Sequence, residues 1–199
     1  MNIGFKDVSP IFWRNVFDDV EPYRETMLSE LSKIDAIARK NEKNGPHPAA
    51  INYRTMMALY ALCNSLNPKL VFEVGTYSGR SAMVMACFAK VHTCDISSIN
   101  ASFGEYDVTF HHGTSTQMFE VMTEKPDMLF LDGRLQKDDL THLSRLLTKD
   151  TVIVVDDFEG VEKGVCNMQI LNPPCLMYPP PGTTLAVGLG AVYVKLTRQ

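Results

Sequence analysis

Five acidic side chains stand at the ends of short apolar runs. Glu73 lies within Leu70-Val71-Phe72-Glu73-Val74, Asp95 follows Val91 to Cys94, Asp132 follows Met128 to Leu131, and Asp156-Asp157 follow Thr151 to Val155. The first run opens into Glu73-Val74-Gly75-Thr76-Tyr77-Ser78-Gly79-Arg80-Ser81, an E-x-G-x-x-x-G turn. A dinucleotide site wants G-x-G-x-x-G, so that a pyrophosphate can reach a helix N-terminus. That spacing is absent. A carboxylate beside bare backbone instead suits a cationic ligand carrying an amino-acid group. Asp95, 20 residues after Gly75, is placed to accept hydrogen bonds from both hydroxyls of a ribose. Asp156 and Asp157, with Asp132 at a neighbouring strand end, make an oxygen-only set suited to Mg²⁺. Like charges this close are costly unless something neutralises them. The alternative is that Asp157 caps a helix beginning near Gly160 while Asp156 bonds a loop.

The elements that must position these residues follow from apolar periodicity. Runs at Leu70 to Val74, Val91 to Cys94, Val108 to His111, Met128 to Leu131 and Thr151 to Val155 alternate with helical stretches at Arg80 to Ala89, Ser115 to Thr123 and Asp138 to Leu147. Such alternation predicts an α/β fold whose parallel sheet is buried on both faces. Ligands of such sheets bind beyond the carboxyl ends of the strands, where strand order reverses. The tail, Leu185 to Leu196, is strand-like and broken by Gly188 and Gly190, as expected of an antiparallel edge pair. Upstream, an apolar stripe from Pro22 to about Lys40 and a second helix from Tyr53 to Leu66 are expected, with Asn44-Gly45-Pro46 as a stop. Residues 1–45 read as a helical cap or dimerisation arm, and residues 46–199 as the ligand-binding domain.

The set resembles class I S-adenosylmethionine-dependent methyltransferases from about Pro46 onward. Val71 to Ala82 is similar to the first motif of catechol O-methyltransferase-like enzymes. Leu131-Asp132-Gly133 with Val155-Asp156-Asp157-Phe158 resembles the macrocin-type enzymes that methylate sugar hydroxyls of macrolides. The resemblance implies a Rossmann-like, doubly wound, mostly parallel seven-stranded sheet with an antiparallel C-terminal strand. It implies that Gly75, Tyr77 and Ser81 hold the methionine part of S-adenosylmethionine, Asp95 the ribose, and Ser115 the adenine amine edge. Glu73, Gly79, Gly113 and Asp132 complete the expected cofactor set. It further implies Mg²⁺ on Asp132, Asp156 and Asp157, lowering the pKa of a substrate hydroxyl and fixing its angle. Catechol-type relatives carry a Lys three positions after the equivalent of Asp132, where this chain has Leu135. Asp132, Arg134 and Lys137 therefore stand as candidates for the catalytic base. The expected activity is O-methylation of a small hydroxylated molecule, sugar or catechol-like. The rivals are a metal-independent methyltransferase, an NAD-linked oxidoreductase and a non-catalytic cofactor-binding module.

Composition narrows the alternatives. In 199 residues the net charge is −4 with no basic run, which argues against nucleic acid or an anionic membrane surface as partner. Five scattered cysteines without a C-x-x-C pair suit a reducing compartment, and neither a signal-like N-terminus nor a bilayer-length apolar run is seen. A cytoplasmic protein, a possible homodimer, is the expectation. Adjacent His111 and His112 should point to opposite faces of a strand and so not share a metal. His47 could reach a substrate from the cap.

Overall fold

The structure is a computed structural model describing residues 8–42, 50–97, 102–171, 173 and 175–189. His47 and the Asn44-Gly45-Pro46 stop lie outside the described residues, as does the tail beyond Leu189. The chain begins with α1 (Ser9–Val20), a 3₁₀ turn (Glu21–Tyr23), α2 (Arg24–Asn41) and α3 (Tyr53–Leu66). It continues with β1 (Leu70–Val74), α4 (Arg80–Ala86), β2 (Lys90–Asp95), β3 (Val108–His112), α5 (Ser115–Val121), β4 (Met128–Leu131), α6 (Asp139–Leu146) and β5 (Val152–Val155). A π-helical turn (Val161–Val165), α7 (Cys166–Leu171), β6 (Cys175–Met177) and β7 (Ala186–Leu189) close the described chain.

The seven strands form one sheet in the order β3-β2-β1-β4-β5-β7-β6. Strands β1 to β5 are parallel, with β3 at one edge, while β7 runs antiparallel to both β5 and β6. This is the Rossmann-like, doubly wound arrangement with an antiparallel C-terminal edge. Strand order reverses between β1 and β4, so a crevice opens there beyond their carboxyl ends. All five residues of β1 are buried. Val71 joins the core under α1 to α4, and Phe72 joins the core under α5 and α6 on the other face. That two-sided burial is why the central strands read as unbroken apolar runs.

The N-terminal helices extend the core. Pro10 sits in the first turn of α1, where its missing N–H costs nothing. Trp13, Val16 and Val20 of α1 and Met27, Leu31, Ile34 and Ala38 of α2 are buried in the same cluster as α3 and α4. The apolar stripe that suggested an arm is thus covered by the chain itself. α3 starts on Asn52, whose side chain accepts from Thr55 N, and ends on left-handed Asn67. Among the described residues no helix is long and apolar enough to cross a membrane.

Candidate active site

The turn after β1 is shaped by a close approach. Gly75 has φ +100°, and a Cβ on it would lie 2.7 Å from Gly133 N. A Cβ on Gly133 would in turn lie 2.8 Å from Val74 Cγ1. The exits of β1 and β4 therefore touch through two bare backbones, and Val74 O accepts from both Asp132 N and Gly133 N. Tyr77 continues the turn with φ 42°, and its N–H donates to Asp95 Oδ2 at 3.0 Å. Ser97 N donates to the other oxygen, Asp95 Oδ1, at 2.8 Å. Two backbone donors thus fix the Asp95 carboxylate, and each oxygen keeps a lone pair for a further donor.

These ends enclose a cavity of about 510 Å³ lined by Gly75, Tyr77, Asp95, Ile96, Gly113, Ser115, Asp132, Gly133, Arg134 and Lys163, among others. That is within the usual range for small-molecule and cofactor sites, ~300–1,000 Å³. Six of the expected cofactor residues (Gly75, Tyr77, Asp95, Gly113, Ser115, Asp132) share this lining. Ser81 faces a smaller adjoining space that Asp132 also borders. Gly79 packs against the Phe103 ring instead.

Glu73 lies below the floor, fully buried. Its Oε2 accepts from Thr93 Oγ1 at 2.5 Å, and the Thr93 hydroxyl lies 2.6 Å from that of Thr76. Burial pushes the Glu73 carboxyl up to about 8, against the hydroxyls of Ser81 and Thr93, which favour the charged form. The Ser115 hydroxyl donates to Asp139 Oδ2 at 2.6 Å. Its proton being committed, it offers the cavity an acceptor.

Opposite Asp95 lies a charged cluster. Burial and the charge of Asp156 push the Asp132 carboxyl up to about 7, with Lys163 opposing. Asp156 is raised chiefly by burial, and its Oδ1 accepts from the Thr184 hydroxyl. Asp157 adopts φ 50°, a conformation that Asp tolerates better than most residues. It does not cap the following turn with its side chain. Lys163 Nζ sits between the two strand ends, 3.1 Å from Asp132 Oδ1 and 2.9 Å from Asp157 Oδ2. Burial works to lower the Lys163 pKa, and the hydrogen bond to Asp157 with the charge of Asp132 more than offsets it, leaving it raised.

Of the other expected catalytic residues, Arg134 borders the cavity but pairs with Glu162. Lys137 is exposed and does not line the cavity. Lys163 was not expected from the sequence. Among the described residues no group of three or more His, Cys, Asp or Glu side chains is arranged to hold a metal ion. His111 and His112 do diverge: His111 Nε2 meets His92 Nδ1 at 2.9 Å, and His112 Nε2 lies 3.2 Å from Ile96 O.

Comparison with known proteins bears on this arrangement. A family model described as a methyltransferase domain matches residues 72–158, from within β1 to the turn after β5. The chain has the class I methyltransferase fold, and the stretch matched by the family model runs through the strand ends that line the cavity. Solved structures agree on the fold. A methyltransferase from Geobacter sulfurreducens is 18% identical with a TM-score of 0.59, covering 81% of this chain and 88% of its own. An O-methyltransferase from Bacillus cereus, in complex with S-adenosylhomocysteine, is 16% identical with a TM-score of 0.56, covering 80% and 89%. The O-methyltransferase TomG from Streptomyces achromogenes, involved in tomaymycin synthesis and in complex with S-adenosylmethionine, is 18% identical with a TM-score of 0.55, covering 86% and 96%. No curated protein matches the sequence. The matched segment, residues 72–158, contains Gly75, Asp95, Ser115, Asp132 and Asp157 and stops short of Lys163.

Proposed function

We propose that the protein transfers a methyl group from S-adenosylmethionine to a hydroxyl of a small molecule. The observation that carries this reading is the convergence of Gly75, Asp95 and Asp132 on one cavity at the strand-order reversal. The donor set suits the cofactor. Asp95 offers an anchored carboxylate to the ribose hydroxyls, the Ser115 hydroxyl offers an acceptor to the adenine amine, and the acidic far wall attracts the positive end. The complexes of TomG with S-adenosylmethionine and of the Bacillus cereus protein with S-adenosylhomocysteine, on this same fold, support that choice. Bound there, S-adenosylmethionine supplies a methyl carbon on a sulfonium, whose C–S bond breaks, electron pair to sulfur, as the acceptor's C–O bond forms. Asp132 takes the hydroxyl proton. A carboxyl held near pKa 7 by burial and by Asp156 exchanges a proton readily at neutral pH. Tyr77 and the Gly75 backbone hold the methionine part, with Val74 and Cys94 lining the wall beside them.

The Mg²⁺ implied by the resemblance is not part of this proposal. A magnesium ion wants near-octahedral oxygen ligands at ~2.0–2.1 Å. Here Asp132 and Asp157 already share an ammonium, and Asp156 Oδ1 is engaged by Thr184. A dication beside that ammonium is repelled by it.

Calorimetry with S-adenosylhomocysteine and with NAD tests the reading. The expected result is saturable binding of S-adenosylhomocysteine and none of NAD; the reverse pattern sinks it. A panel of sugars and catechols, followed by transfer of a labelled methyl group, then identifies the acceptor class.

A further inference from the structure

Lys163 lies on no strand end, and the fold goes to some length to bring it to one. After β5 the chain turns back through Asp157, with Gly160 N donating to Asp157 O at 2.7 Å. It then forms a π-helical turn, where Lys163 N and Val165 N both donate to Gly160 O. Such turns are rare and cluster at functional sites. Gly164 makes this one possible, because any Cβ there would collide with Asp157 O and Phe158 Cα. The next helix, α7, is stapled to the loop after β4 by Asn167, which is fully buried. Its Nδ2 donates to Gly133 O at 2.8 Å and its Oδ1 accepts from Leu135 N at 3.0 Å. Two loops that exit separate strands are thereby locked together, and the locked geometry sets Lys163 Nζ against Asp132 and Asp157.

We propose that Lys163 stands in for a divalent cation, its ammonium bridging Asp132 and Asp157 and presenting positive charge to the acceptor oxygen. This rests on the methyl-transfer reading above for its catalytic meaning, though the substitution of ammonium for metal stands on geometry alone. Lys163 acts as a positioning residue: it holds the Asp132 carboxylate toward the cavity and offsets the negative charge that grows on the acceptor as its proton leaves for Asp132. It carries one charge where a magnesium ion carries two, so the three carboxylates stay partly uncompensated until a cationic cofactor enters.

The test is Mn²⁺ binding, followed by electron paramagnetic resonance and calorimetry, on the wild type, Lys163→Ala and Lys163→Arg. Removing the ammonium should free the carboxylates, so Lys163→Ala should bind Mn²⁺ at least about tenfold more tightly than the wild type, a difference near 1.4 kcal/mol. Lys163→Arg keeps the charge and should behave as the wild type. A wild type that binds Mn²⁺ as tightly as Lys163→Ala overturns the proposal, and so does no gain in Lys163→Ala. If circular dichroism shows Lys163→Ala unfolded, Lys163→Met, which keeps the apolar stem, takes its place. A Mn²⁺ site in the wild type that Asp132→Asn abolishes also overturns it. S-adenosylhomocysteine binding is measured on the same samples. Its loss with the Mn²⁺ pattern intact removes the methyl-transfer reading alone, and the converse removes only the role of Lys163.

Discussion

The backbone N–H of Tyr77 donates to Asp95 Oδ2 at 3.0 Å, tying the turn after β1 to the end of β2 across the sheet. With Ser97 N on the other oxygen, the carboxylate is oriented before any ligand arrives. A preorganised carboxylate that gains two ribose hydroxyls gains two charge-assisted hydrogen bonds, each worth ~1.5–3 kcal/mol. Asp95→Ala should therefore weaken S-adenosylhomocysteine binding by about a hundredfold or more in calorimetry. Asp95→Asn, which keeps one acceptor, should fall between. A loss below about fivefold would take the ribose contact away from Asp95.

Asp139 matters more to stability than its place in a helix suggests. It is fully buried and accepts from Ser115 Oγ and Thr116 Oγ1, each at 2.6 Å, and from Gln136 N at 2.7 Å. Asp139→Ala leaves three donors without their acceptor, each unmet group costing ~1–3 kcal/mol. The expected loss is about 3 kcal/mol or more, a fall in Tm of roughly 10 °C for a chain of this size. Ser115→Ala removes one donor and should cost far less. Thermal melts of the two variants decide; equal losses would mean that Asp139 is not the hub.

How much of this was legible in advance depends on whether the cause was local. β1 and its turn were readable from Leu70 to Ser81, because two-sided burial writes an unbroken apolar run and the close approach of backbones writes glycine. Asp95, Asp132 and Asp156-Asp157 were readable because strand ends follow directly from the runs. Lys163 was not. Its place depends on a π-helical turn, on Gly164 and on the Asn167 staple to a loop more than thirty residues earlier, none of which leaves a periodic trace. α1 was missed because its buried positions, Trp13, Val16 and Val20, are few and acquire meaning only against α3. Ser115 was expected at the ligand, but its link to Asp139 spans 24 residues and becomes visible only once α5 and α6 pack.

Glu73 should give the protein a distinctive response to pH. Its carboxyl is raised by burial from an ordinary value of 4.5 to about 8. Between those values the unfolded chain releases a proton that the folded chain keeps, so rising pH favours the unfolded state and stability falls across the window. Below it the group contributes no slope. Glu73→Gln, neutral at every pH, lacks this penalty. The Tm of Glu73→Gln relative to the wild type should therefore rise from pH 5 to pH 8 and level off above. The gain at the upper end should be on the order of a few kcal/mol. Parallel pH profiles for the two proteins would show that Glu73 ionises freely in the fold.

Arg80 is where the second N-terminal helix is fastened to the α/β sheet unit. Its Nη2 lies 2.9 Å from Asp35 Oδ1 and its Nη1 2.8 Å from Glu42 Oε1. The Glu42 side chain is only 1% exposed and that of Arg80 10%. Removing one member of so enclosed a pair strands a carboxylate away from water, which costs ~3–5 kcal/mol. Arg80→Ala should accordingly be strongly destabilising in chemical denaturation. Glu42→Gln in the same chain removes the stranded charge and should recover a substantial part of that loss, so the double-mutant cycle should show coupling of ~1 kcal/mol or more. Strictly additive losses would mean that the contact orders the surface without fastening α2, and that the apolar stripe of Leu31, Ile34 and Ala38 holds the helix unaided.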